Sequence, residues 1–262
     1  MLYTHNINPI MLTIGPIQLY WYGAMYAISF ILIDYLMKKK LVTKNFDFDD
    51  IQIDKILLTS LIMLLIGGRL GYVIFYNIEY YLYEPFKILF IWEGGMSFHG
   101  GLIGILVGLI LLSKKENLSF FKITDYVVIF IPIGLFLGRI GNFINSELYG
   151  HPTSSDWGVI FPLIDSIPRH PSMLYEAFLE GIIIFFILKT LSKSNLNNGV
   201  LSSIFLVLYA IFRFIVEFVR VPDSHIGYIW SNWFTVGQLL SIPMLLIGII
   251  LFYFSYRGKF TS

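Results

Sequence analysis

The chain has 262 residues, a formal net charge of +1, no cysteine, and 13% charged against 56% hydrophobic residues, with a mean hydropathy of +0.74. A soluble globule carries about 25% charged residues, so most of this surface faces lipid rather than water. The near-neutral charge points away from a nucleic-acid partner, which would call for a clustered basic excess, and the lack of cysteine excludes disulfides, thiolate metal sites and a cysteine nucleophile.

Seven segments have the length and apolarity of a membrane-spanning helix. In chain order they are Ile17–Met37, Ile56–Tyr76, Met96–Leu112, Ile123–Phe143, Ser172–Leu191, Gly199–Val219 and Trp233–Phe254. A cleavable signal peptide needs a basic n-region, and the first lysine is Lys38, so the first segment reads as a retained span. Between the first two spans, Lys38–Lys55 reads as a solvated loop. The stretch Ser146–Pro171 holds Gly150, Pro152, Gly158, Pro162 and Pro168 and reads as irregular or partly re-entrant. Tyr20, Trp21, Tyr80, Tyr81, Trp92, Trp157, Trp230 and Trp233 fall near one set of span ends, as an interfacial aromatic belt does.

Orientation follows from the basic residues between spans. With the N-terminus outside, the cytoplasmic side receives Lys38, Lys39, Lys40, Lys44, Lys55, Lys114, Lys115, Lys122, Lys189, Lys193, Arg257 and Lys259; the outer side receives only Lys87, Arg169 and Arg220. The positive-inside rule then sets a periplasmic N-terminus and a cytoplasmic C-terminus. The expected fold is an all-α integral membrane protein, a seven-helix bundle forming a single domain over residues 1–262.

Three arginines fall inside spans: Arg69, Arg139 and Arg213. Each needs a partner or a wet cavity, because an arginine near a span centre costs at least about 2.5–3.5 kcal/mol. Glu176, Glu180 and Glu217 raise the same question. At 1.5 Å per residue, Arg139 lies about 24 Å from the inner face and Arg213 about 21 Å. His99 and Tyr22 lie within about 8 Å of the outer face. Groups from four spans thus fall in the outer half of the membrane, which suits one polar chamber opening outward. Tyr209, Arg213 and Glu217 are successive i, i+4 neighbours on one helix face, with Arg220 continuing near it. Arg139 and Asn142 are i, i+3 neighbours, with Asn145 and Glu147 following at the helix end. Plainer readings stand beside these. Taken alone, Arg213–Glu217 reads as a structural ion pair, His99 as a bonded interface histidine, Gly104 and Gly108 as helix packing, and Asp125 as a structural group near a helix start.

These residues fall into blocks with a familiar pattern. The run Gly138-Arg139-Ile140-Gly141-Asn142-Phe143-Ile144-Asn145-Ser146-Glu147-Leu148-Tyr149-Gly150 resembles the signature of the prolipoprotein diacylglyceryl transferase family. Trp21-Tyr22-Gly23, Gly67-Gly68-Arg69-Leu70-Gly71-Tyr72, Gly94-Gly95-Met96-Ser97-Phe98-His99-Gly100-Gly101 and Arg169-His170-Pro171-Ser172 are similar to other blocks of that family in the same order. Tyr175-Glu176 and Tyr209 through Arg213, Glu217 and Arg220 complete the set, so the resemblance covers nearly the whole chain. It implies an enzyme of the bacterial inner membrane, with an active site facing the periplasmic leaflet. There the diacylglyceryl group of phosphatidylglycerol would pass to the lipobox cysteine of a prolipoprotein signal peptide, with release of glycerol 1-phosphate. No metal or soluble cofactor is expected.

That reaction asks for cations at the departing phosphate and for a thiolate, which a cysteine of pKa about 8.5 supplies sparingly at neutral pH. Arginine pairs with phosphate bidentately and stays charged, so Arg139 and Arg213 are assigned to the phosphate. Asn142 and Asn145 would donate to phosphate or headgroup, and Glu147 and Glu217 would hold the arginines. His99 is the candidate base for the thiol, with Tyr209 and Tyr22 as alternative proton acceptors or headgroup contacts. Arg69, Glu176 and Arg220 are supporting candidates. Two other classes compete: a secondary transporter with an outward-facing polar cavity, and a serine hydrolase using Ser97 or Ser172, neither of which sits in a nucleophile elbow.

Overall fold

The computed structural model describes residues 2–39, 46–222, 227–230 and 233–258, so Lys40, Lys44 and Lys259 of the orientation argument lie outside the described residues. The α-helices are α1 (Trp21–Lys38), α2 (Asp50–Tyr76), α3 (Ile78–Tyr83), α4 (Phe98–Glu116), α5 (Phe120–Val128), α6 (Ile131–Ile144), α7 (Ser172–Glu176), α8 (Ile184–Leu191), α9 (Val200–Val216) and α10 (Val236–Tyr256). Short strands accompany them: β1 (Tyr3–Thr4), β2 (Ile10–Ile14), β3 (Ile17–Tyr20), β4 (Val159–Ile160), β5 (Pro168–Arg169), β6 (Tyr228–Trp230) and β7 (Phe234–Thr235). Among the described residues, α2, α4 and α10 are long and apolar enough to cross a membrane, and the bent pair α5–α6 makes a fourth span if counted as one. The chain forms two compact units, one of Phe46–Thr124 and one of Met1–Asn45 with Asp125–Ser262.

In the Phe46–Thr124 unit, α2 opens on a capping box in which the Asp49 side chain accepts from Gln52 N and Gln52 Oε1 accepts from Asp49 N. The α2–α4 contact is backbone against backbone. A Cβ on Gly104 would come within 2.1 Å of the Met63 carbonyl oxygen, and one on Gly100 within 2.3 Å of that of Gly67. Only glycine fits there, the small-residue packing used where helices share a membrane. Ser97 caps α4, accepting from Gly100 N at 3.2 Å, and its own N–H donates to Gly68 O at 2.8 Å.

In the other unit, the first expected span gives up residues 17–20 to β3, which pairs with β2 around Gly15 at φ 58°. The fourth breaks after Val128, with α5 and α6 bent by 41°. Pro132 is the cause: it has no N–H to donate to the Val128 carbonyl and its ring crowds that oxygen, whereas it fits the first turn of α6. The fifth runs without interruption from α7 to α8 through a π-helical turn, Ala177–Ile183. There Gly181 brings the helix against Phe136 of α6, since a Cβ would meet the Phe136 Cβ at 2.7 Å. The sixth shortens to the 17 residues of α9. Buried Asp125 accepts from Gly199 N, Ser202 N and Ser202 Oγ at 2.6–2.7 Å, filling the N-terminal donors of α9 as its structural reading expects. The seventh begins with β7 and becomes helical at Val236.

The stretch expected to be irregular contains β4 and β5, which form a three-stranded sheet with β1 in the order β1-β4-β5. Val159, Phe161 and Met173 form a small core beneath it, with Phe143, Tyr149 and Leu174 packed alongside. Arg169 grips Asp165 through Nε and Nη2 and lies over the Tyr149 ring at 5.2 Å. These hydrogen bonds hold the Asp165 carboxyl below the usual carboxylate range.

Candidate active site

Glu176 ends α7 with no exposed surface, and its two carboxylate oxygens serve different helices. Oε2 lies 2.5 Å from Arg139 Nε on α6, while Oε1 accepts from Arg213 Nη1 on α9 and lies 3.7 Å from Arg220 Nη1. One buried carboxylate therefore draws two arginines, 74 positions apart in sequence (213 − 139), to the same point. Glu180, equally buried in the π-helical turn, lies 3.8 Å from Arg139 Nη2. Glu217 pairs with Arg213 Nη2 as the i, i+4 spacing anticipated, and lies 3.5 Å from Arg220 Nη1. Three guanidinium groups thus face three carboxylates. Such an arrangement resolves the cost of burying either sign alone. The Arg139 and Arg213 side chains stay partly accessible, at 17% and 15%.

A second layer runs from Arg139 along the end of α6. Arg139 Nη1 donates to Asn142 Oδ1 at 3.4 Å, Asn142 Nδ2 donates to Glu147 Oε2 at 3.0 Å, and Asn145 Nδ2 donates to Glu147 Oε1 at 3.2 Å. The donor–acceptor chemistry fixes this amide's orientation: oxygen to the guanidinium, NH2 to the carboxylate. The turn that brings Glu147 back is tight. Ser146 and Leu148 both adopt φ 58°, a conformation non-glycine residues rarely take, and Glu147 N donates to Asn142 O at 2.9 Å. Glu147, expected to help hold an arginine, is linked to Arg139 through the Asn142 amide. The carboxylate paired with Arg139 Nε is that of Glu176.

Tyr22, in the first turn of α1, lies against Gly141 of α6, where a Cβ would come within 2.8 Å of its ring. Its hydroxyl is 3.1 Å from that of Tyr26, one turn on. Tyr26 was missed in the sequence, although its i, i+4 spacing from Tyr22 was the available signal. Tyr209 stacks on Phe205 and lies within electrostatic range of Glu180, Arg139 and Arg213.

Two candidates sit in the Phe46–Thr124 unit. His99 is exposed in the first turn of α4, edge-on to Phe98 at 5.6 Å between ring centres. Arg69 is buried, and its guanidinium donates to the carbonyls of Lys87, Ile88, Phe90, Gly94 and Gly95. Its donors are committed to shaping the segment that leads into α4. The serines of the hydrolase reading are occupied structurally: Ser97 caps α4, and Ser172 Oγ donates to Leu148 O at 2.6 Å. Among the described residues no group of three or more His, Asp or Glu is arranged to hold a metal ion.

The family model described as prolipoprotein diacylglyceryl transferase matches residues 9–254. A protein of Methylococcus capsulatus named phosphatidylglycerol–prolipoprotein diacylglyceryl transferase is 42% identical over 255 residues, 97% of each chain. Proteins of the same name from Pasteurella multocida and Nitratidesulfovibrio vulgaris are 44% and 43% identical; they cover 97% and 95% of this chain and 94% and 95% of their own. These relatives bear an enzyme's name and give no support to the transport alternative. The match extends across the arginine–glutamate cluster, the asparagine relay and the glycine-packed helices alike, and the chain belongs to the prolipoprotein diacylglyceryl transferase family.

Proposed function

We propose that this protein transfers the diacylglyceryl group of phosphatidylglycerol to the lipobox cysteine of prolipoprotein signal peptides, releasing glycerol 1-phosphate. The observation that carries the reading is the convergence of Arg139 and Arg213 on one buried carboxylate, which brings two planar forks within reach of a single anion. In the proposed reaction the thiolate sulfur forms a bond to the glyceryl carbon, the carbon–oxygen bond to phosphate breaks, and its electron pair leaves on the phosphate. Arg139 and Arg213 stabilise that growing charge, because preorganised cations need no reorganisation when it develops. Asn142, Asn145 and Glu147 orient Arg139 and contact the headgroup, and Glu176, Glu217 and Arg220 fix the cluster. Tyr22 and Tyr209 contact the glycerol headgroup. His99 takes the thiol proton, as the one histidine within the proposed spans.

The same reading places the chain in the bacterial inner membrane as one seven-span domain with an outer N-terminus, a cytoplasmic C-terminus and the cluster toward the periplasmic leaflet. The twelve-to-three division of basic residues supports the orientation. Purified protein incubated with acyl-labelled phosphatidylglycerol and a lipobox peptide should add one diacylglyceryl mass to the peptide cysteine. Arg139→Ala, inserted and folded, should abolish that gain. A peptide left unmodified by the wild-type protein overturns the function, and near-normal turnover by Arg139→Ala removes the phosphate clamp.

A further inference from the structure

The last helix brings no charged side chain to the arginine cluster, yet its first turn closes on it. Thr235 Oγ1 donates to Glu217 Oε2 at 2.5 Å while accepting from Gln238 N at 3.1 Å. Thr235 N donates to Gln238 Oε1 at 3.0 Å, completing a capping box. The antiparallel pairing of Thr235 with Tyr228 sets the approach of this turn. Beside it, a Cβ on Gly237 would fall 2.5 Å from the Glu217 carboxyl carbon and 2.6 and 2.9 Å from its two oxygens, so any larger residue there pushes that carboxylate out of place. Thr235 and Gln238 are both buried.

The consequence is rotational. Glu217 has two equivalent oxygens and a terminal torsion with broad minima. Donation from Thr235 to Oε2 selects one orientation and seats the carboxylate over the first turn of α10. Oε1 is then directed at Arg213 Nη2, with Arg220 Nη1 3.5 Å away. We propose that Thr235 and Gly237 are positioning residues for Arg213, setting its guanidinium through Glu217. The inference rests on the phosphate-clamp reading and extends it to a helix that contributes no charge of its own.

Substitutions separate this role from capping. Thr235→Val removes both the cap and the donor to Glu217. Thr235→Asp keeps a strong N-cap residue but sets an anion against Glu217. Thr235→Ser restores both interactions. Gly237→Ala drives a methyl into the carboxylate. The measurement is kcat/KM for phosphatidylglycerol and KM for the lipobox peptide, beside the melting temperature in detergent.

Thr235→Val and Thr235→Asp should each lower kcat/KM for the lipid by about tenfold to a hundredfold, the range of one hydrogen bond to a charged group. The peptide KM should hold within about twofold, and Thr235→Ser should recover most of the loss. Gly237→Ala should follow Thr235→Asp. A Thr235→Asp protein with wild-type lipid kinetics overturns the inference while leaving the transfer reaction standing. So does a loss seen only in melting temperature, or one shared equally by lipid and peptide. A wild-type protein that transfers no lipid overturns both this and the proposed function.

Discussion

Replacing Glu176 with glutamine keeps the volume of the side chain and removes one negative charge from the centre of the cluster. The carboxylate it replaces has no exposed surface and meets Arg139 and Arg213 with different oxygens. An amide accepts through its oxygen from one guanidinium, but its NH2 then confronts the other, donor against donor. Breaking a buried ion pair by neutralising one partner costs roughly 3–5 kcal/mol. If that loss falls on the transition state, at 1.36 kcal/mol per tenfold, kcat drops roughly 150- to 5,000-fold. The same change at Glu180, whose nearest guanidinium nitrogen is 3.8 Å away, should have a smaller effect. Transfer of labelled diacylglycerol to a lipobox peptide, read by mass spectrometry on protein of verified fold, gives the comparison. A Glu176→Gln protein turning over within about threefold of wild type would refute the idea that this carboxylate assembles the site.

Other consequences follow from the same geometry. His99→Gln should slow transfer increasingly as pH falls from about 8.5 toward neutrality, because spontaneous thiolate becomes scarce; an unchanged pH–rate profile speaks against a base role. Gly104→Ala forces a Cβ to 2.1 Å from the Met63 carbonyl and should lower stability by about 1–3 kcal/mol or more, as overpacking does; an unchanged melting temperature would contradict the α2–α4 contact. The Asp165 carboxyl is held low by Arg169, so its contribution is full above the ordinary carboxylate pKa of about 3.9 and fades as pH falls through the lower folded value. Protection factors around β4 and β5, corrected for the intrinsic exchange rate, should therefore fall at acid pH in the wild type, and should already be low at neutral pH in Asp165→Asn. Equal exchange in the two proteins at neutral pH would remove this pair from the account.

What the sequence disclosed was mostly local. Arg213 and Glu217 are one helical turn apart, so their pairing follows from spacing alone, as does the asparagine run after Arg139. Gly104 and Gly108 announced a close helix contact, because a glycine spacing of four has few other uses in an apolar helix. The choice of partner for Arg139 was not local. Glu176 lies 37 positions beyond it (176 − 139), and only the packing of α7 on α6 brings them together. Glu147 looked closer in sequence, yet the left-handed turn at Ser146 and Leu148 directs it to Asn142 and Asn145 instead. Pro132 could have been read as the break in the fourth span, and Thr235-x-x-Gln238 as a helix start. Neither pattern named the Glu217 carboxylate as the cap's third partner. The strands β1, β4 and β5 span two residues each, too short for any alternation to register.

The direct measurement is a structure of the protein with phosphatidylglycerol bound, solved in a lipid disc or bicelle. The arginine cluster should hold the lipid phosphate with at least one nitrogen of Arg139 and one of Arg213 at hydrogen-bond distance, and the glycerol headgroup should lie toward Asn142 and Tyr209. A phosphate seated elsewhere, with both guanidinium groups still turned inward on Glu176, would contradict the clamp on which this account stands.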